Sequence, residues 1–208
     1  MDYTTLDASS SLLYVRYLRG QNRISRRVLL RIAWWSLLYQ ISAIDVHRAV
    51  PKMLSYSEHQ SASRLMAEAY EWFEIMLKGH VAPRAVEQIN FHRQQDHRVA
   101  LISASTQFAV QPVAEYLNMD FLCTQLIARD DVLTGEVEDP PCYAAGKVVW
   151  AQRYAEAYAA ALSEAYFYTD SRSDLPLLNL VGHPVAVNPD ARLRRLSQRR
   201  GWPIEHFY

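Results

Sequence analysis

Short apolar runs alternating with helix-spaced stretches fill residues 83–199, and this alternation narrows the fold more than any other feature. Residues 83–95 read as a helix, 98–103 (RVALIS) as a short apolar strand, and 108–117 as a helix. Two β-like runs follow, 121–128 and 132–137, with Arg129-Asp130-Asp131 as the turn between them. A long Ala-rich helix is expected over 147–162, then a strand over 165–169, a helix over 173–180, a strand over 184–187 and a helix over 191–199. Strands joined through helices imply a mainly parallel sheet covered on both faces. Residues 9–80 differ: they read as helix after helix, with Ser25 and Asp45 as N-caps. Leu65, Ala69, Trp72, Phe73 and Met76 recur there at helical spacing, which assigns these aromatics to packing. The expected architecture is an α/β core, residues 1–8 and 81–208, with an inserted all-helical domain at 9–80. A chain of 208 residues, half of them hydrophobic, can bury one such core and its insertion.

Charge and cysteine usage exclude several functions. Lys+Arg and Asp+Glu both number 22, so no global positive field favours nucleic acid. The arginines at 192, 194, 195, 199 and 200 read as a solvated helix face. Cys123 and Cys142 match no metal spacing, and the histidines form no paired zinc motif, which suits a reduced, cytoplasmic chain. The first residues lack the basic region and cleavage site of a secretory leader. The apolar stretch 28–41 contains Arg31 and Gln40 and falls short of the roughly 20 residues a spanning helix needs. A buried or partner-facing helix is preferred there over membrane contact.

Parallel sheets place their sites at the carboxyl ends of the strands. Ser103 ends one run, where its hydroxyl and the N–H groups around Ala104 and Ser105 suggest an anion cradle. Lys147 stands at a helix start, where a cation opposes the helix dipole unless an anion joins it. Asp170 and Asp174, four residues apart after AYFYT, are hard oxygen donors of the kind that suits Mg²⁺. Taken singly, each has an ordinary structural reading as a cap, a surface lysine or an Asp/Ser-rich turn.

In this order, with Asp2-Tyr3-Thr4 ahead of them, they resemble the haloacid dehalogenase-like phosphatases, in the subfamily (IB) typified by phosphoserine phosphatase. The family carries Asp-x-Asp-x-Thr, then a Ser or Thr after a strand, a Lys at a helix start, and Asp-Ser-x-x-Asp. The runs 175–178 (LPLL), 182–190 (GHPVAVNPD) and 200–204 (RGWPI) extend the resemblance along the chain. It implies a Rossmann-like core with residues 9–80 as the helical cap, Mg²⁺ as cofactor and a small-molecule phosphomonoester as substrate. Asp2 is then the general acid and base, with its backbone carbonyl on the metal. Asp170 is a metal ligand supported by Asp174, while Ser103, Ala104 and Lys147 hold the phosphoryl group. Met1 falls on the first "x", so the attacking aspartate and its strand are expected just ahead of Met1, through a late start or a truncation. A catalytically silent phosphate-binding homologue is the alternative. A peripheral membrane protein using Trp34 and its neighbouring arginines is a third reading. Phosphoserine phosphatases carry a glutamate near the position of Ser9, and this chain has Ala8-Ser9-Ser10-Ser11. Tyr14, Tyr17, Trp34, Trp35 and Tyr39 supply aromatic surface to the cap, chiefly for its own core. The sequence sets neither substrate nor oligomeric state.

Overall fold

A computed structural model of the chain describes residues 1–23 and 58–208. The expectations placed on Ser25, Trp34, Trp35, Tyr39, Asp45 and the stretch 28–41 lie outside these residues. Residues 1–8 form a tight turn in which Thr4, Thr5 and Leu6 all donate to the Met1 carbonyl. The chain then enters helix α1, Ser10–Gly20, capped by Ser9. It returns through α2, Ala62–Trp72, whose cap Ser61 accepts from the Arg64 N–H. The helical spacing that runs through Met76 widens into a π-helical turn at Phe73–Leu77 and a 3₁₀ turn at Lys78–His80.

The segments leading into and out of residues 9–80 run side by side. Leu6 bridges Val81 in antiparallel register. The Asp7 N–H donates to the His80 carbonyl and the Ala82 N–H to that of Thr5, both at 2.9 Å. The side chains of Asp7 and His80 meet at 2.6 Å.

After α3, Pro83–Gln94, the alternating pattern follows as expected. Strand β1, Ala100–Thr106, pairs in parallel with β2, Asp120–Thr124, through the crossover helix α4, Gln107–Tyr116. The run expected at 121–128 divides in two. Gln107 takes both backbone groups of Leu126, with its amide donating to the carbonyl and its Oε1 accepting from the N–H, each at 2.9 Å. That side chain replaces a strand partner and releases the chain into an antiparallel hairpin, β3 (Leu126–Arg129) and β4 (Val132–Val137). Asp130 and Asp131 make the turn with φ of 49° and 66°.

Helix α5, Ala145–Ala157, starts before and ends well before the expected 147–162. Ala159 adopts φ 52°, and the Ala160 N–H closes onto the Ala155 carbonyl at 2.8 Å. An Ala-rich stretch lacking glycine carries no stop signal. Strand β5 (Tyr166–Thr169), the short helix α6 (Leu175–Leu178), strand β6 (His183–Val187), helix α7 (Ala191–Arg200) and strand β7 (Ile204–Glu205) complete the fold. β5, β6 and β7 form one parallel sheet, while β1 and β2 form another. β7 was not expected, because two residues carry no periodicity.

One hydrophobic cluster joins Leu6, Leu13, Tyr17, Trp72 and Leu77 to Leu101, Val110 and Val113, tying α1 and α2 to the β1–β2 layer. A second unites Ala151, Phe167, Leu177, Ala186 and Leu193, and Ile102 of β1 packs against it. The two parallel sheets therefore share a core through side chains.

Candidate active site

The residues singled out from sequence converge where the first turn of the chain meets the carboxyl end of β5. Thr4 Oγ1 donates to Asp170 Oδ1 at 3.0 Å across 166 residues of sequence. Asn188, which follows β6, donates from Nδ2 to the Tyr3 carbonyl at 3.0 Å and accepts the Phe207 N–H at 3.1 Å. The first turn is thereby fixed to the end of the β5–β6 sheet.

Lys147 is no surface lysine. It is 7% exposed, and its Nζ donates to Asp174 Oδ2 at 2.8 Å. Asp174 is 1% exposed, and the same oxygen accepts from Thr169 Oγ1 at 2.7 Å. Burying an ion pair requires that each charge find partners, and Asp174 finds three, with Ser173 Oγ donating to its Oδ1 at 3.5 Å. The neighbouring Gly146 permits the close approach of this helix start. A Cβ there would sit 2.0 Å from the Pro141 carbonyl oxygen.

Asp170 is a desolvated carboxyl. Burial raises its pKa, while the hydrogen bond from the Thr4 hydroxyl works against the rise. The Met1 nitrogen lies among Lys147, Asp2, Asp170 and Asp174. Asp2 Oδ2 accepts from Ser10, and its Oδ1 is buried without a hydrogen-bond partner.

Ser103 is buried inside β1 and does not head a helix, since the strand runs on to Thr106 through an irregularity in register. The Ser105 N–H, expected to face an anion, turns inward to Ser103 Oγ at 3.2 Å. The Ala104 carbonyl accepts from Thr124 Oγ1 at 3.0 Å. Cys142 connects this strand to the ion pair, with Lys147, the Ser103 backbone and Asp174 as neighbours. Burial pushes the thiols of Cys142 and Cys123 up to about 12, so both are protonated and unreactive at neutral pH.

The described residues contain no cluster of three His, Cys, Asp or Glu side chains able to cage a metal. Mg²⁺ does not need one: it keeps several waters and is held by one or two carboxylates. The half-buried, desolvated carboxyl of Asp170 is a donor of the right hardness, with the Asp2 backbone close by, so the residues present fit that ion.

Sequence reading did not find the roles of Thr169, Ser10 or Asn188. Each is a polar residue at the end of a strand or the start of a helix, where capping is the ordinary expectation. No helix among the described residues is long and apolar enough to cross a membrane.

The chain is similar to several known proteins. A probable phosphatase of Mycobacterium tuberculosis is 30% identical over 212 residues, covering 100% of this chain and 73% of that protein. A histidinol-phosphatase of Neisseria meningitidis is 29% identical over 175 residues, covering 81% of this chain and 78% of its own length. A Bordetella pertussis protein of unknown function superposes with a TM-score of 0.88 at 28% identity, over 100% of this chain and 96% of that one. Substrate-bound phosphoserine phosphatase shares the fold, with a TM-score of 0.69 at 16% identity over 100% and 90% of the two chains. Residues 1–179 match the haloacid dehalogenase-like hydrolase family, and the chain belongs to it.

Proposed function

We propose that this chain carries the site of a Mg²⁺-dependent phosphomonoester hydrolase that works through an aspartyl-phosphate, with residues 9–80 as its cap. The observation that supports this most is the buried Lys147–Asp174 pair, set beside Asp170 and Asp2 at the mouth of β5. Lys147 is oriented by Asp174 and holds a phosphoryl oxygen, offsetting charge that develops during transfer. Ser103 and the Ala104 backbone complete the phosphate contacts. Asp170 and the Asp2 carbonyl would hold Mg²⁺, supported by Asp174, and the ion would supply charge neutralisation between the reacting anions. Asp2 protonates the leaving alcohol and then takes a proton from the attacking water. The attacking carboxylate corresponds to the position ahead of Met1, outside residues 1–208.

The decisive assay is phosphate release from an aryl phosphate with and without Mg²⁺. It compares residues 1–208 with a chain extended by the upstream in-frame codons. Histidinol phosphate and phosphoserine are then offered as candidate substrates. Mg²⁺-dependent release by the extended chain, lost in Asp2→Asn and Asp170→Asn, supports the reading. If both chains are silent while still binding phosphate, the phosphatase reading gives way to a phosphate-binding homologue.

A further inference from the structure

Asp2 is held from one side. Its Oδ2 accepts two hydrogen bonds from Ser10, one from the backbone N–H and one from the hydroxyl, both at 3.0 Å. Ser10 is 1% exposed and is the first residue of α1. Helix capping falls to its neighbour, Ser9, whose side chain accepts from the Leu12 N–H. The Ser10 hydroxyl is thus free for Asp2. Meanwhile Asp2 Oδ1 is buried with no partner, an arrangement that is costly unless the oxygen meets a group that comes and goes.

Building on the phosphatase reading, we propose that Ser10 is a positioning residue that fixes the Asp2 carboxyl group and leaves Oδ1 as the oxygen presented to the leaving group. Two donors fill the acceptor directions of Oδ2, so Oδ1 is the oxygen open to a further partner. As the attacking carboxylate bonds to phosphorus, the bond from phosphorus to the leaving oxygen breaks and the Oδ1 proton passes to that oxygen. In the second half-reaction water bonds to phosphorus, the acyl-phosphate bond breaks, and a water proton returns to Oδ1. Ser10 heads a helix whose Leu13 and Tyr17 lie in the core cluster with Trp72 and Leu77. The acid is therefore aligned only when α1 is seated.

The test compares p-nitrophenyl phosphate, whose leaving group departs without a proton, with glycerol 2-phosphate, whose alkoxide needs one. Both are assayed with the active parent, Ser10→Ala and Ser10→Thr, after melting curves establish that each is folded. Ser10→Gly, which removes the whole side chain and keeps the backbone N–H, replaces an alanine variant that fails to fold. General acid catalysis supplies about 10²- to 10⁴-fold. Loss of one donor should therefore lower kcat/KM, which reports the steps through departure of the leaving group, about 10- to 100-fold on the alkyl ester and less than about 3-fold on the aryl ester. Threonine, which keeps both donors, should restore the alkyl activity. Equal losses of kcat/KM on both esters, or an unchanged kcat/KM on the alkyl ester, would overturn the role of Ser10 while leaving the phosphatase reading intact. A parent that hydrolyses neither ester would overturn both.

Discussion

Lys147 lies in the first turn of α5, where its charge opposes the helix dipole, and is almost wholly buried. Its partner Asp174 makes that placement tolerable, so the two act as one unit. Breaking a buried pair from one side costs about 3–5 kcal/mol, whereas replacing both partners with apolar groups is often neutral. Urea unfolding should show Lys147→Ala losing stability on that scale, and Lys147→Met with Asp174→Leu losing far less. Both variants should lose phosphate binding, measured by calorimetry, because the cation is gone in each. Gly146→Ala is expected to destabilise by about 1–3 kcal/mol or more, since its Cβ meets backbone and no flexible side chain can give way.

Two contacts between elements decide how the pieces sit together. The tip of the β3–β4 hairpin grips the start of α2: Asp131 accepts from Ser61 Oγ at 2.6 Å, from the Ser63 N–H at 2.7 Å and from Ser63 Oγ at 2.8 Å. Backbone bonds extend the grip, from the Ala62 N–H to the Asp131 carbonyl and from the Leu133 N–H to that of Gln60. Asp131→Ala should leave the core folded while amide exchange and proteolysis rise at residues 58–66, and unchanged exchange there would show the grip to be incidental. The second contact seats α3 on β5. The two ring nitrogens of His92 meet His97 and the Tyr168 hydroxyl, each at 2.9 Å, and Gln88 and Tyr166 complete the surroundings. Burial, and then the charge of His97, hold the His92 pKa below its ordinary value. The unfolded chain therefore takes up this proton first. The stability His92 confers is present in full above about pH 6.5 and declines as pH falls below it. The urea midpoint should drop between pH 7 and pH 5, and His92→Gln should drop less over that interval.

At the scale of the whole molecule, the site joins residues 2–4, 103, 147 and 170–174, which no local rule brings together. Their types and order were legible, because hydroxyl, lysine and paired aspartates at strand ends and helix starts form a chemical signature even when each is ordinary alone. The alternation of strand and helix was legible too, because burial on two faces imposes periodicity on the sequence. Sequence could not show that Lys147 is buried, since a lysine at a helix start reads the same with or without an Asp174 folded against it. The division of residues 121–128 was hidden for a similar reason: it depends on Gln107, which reaches Leu126 only after β1 and β2 have paired. The early end of α5 was hidden because alanines carry no stop signal. Ser10 was passed over because its partner, Asp2, is brought to it by a turn closed on the Met1 carbonyl. The sequence by itself determined the layers, the family and the kinds of side chain at the site, because periodicity and residue chemistry are local properties. Only the tertiary structure decided which lysine is buried, which oxygen of Asp2 is left free and which helix holds the Asp2 carboxyl group, because those depend on contacts between distant parts of the chain.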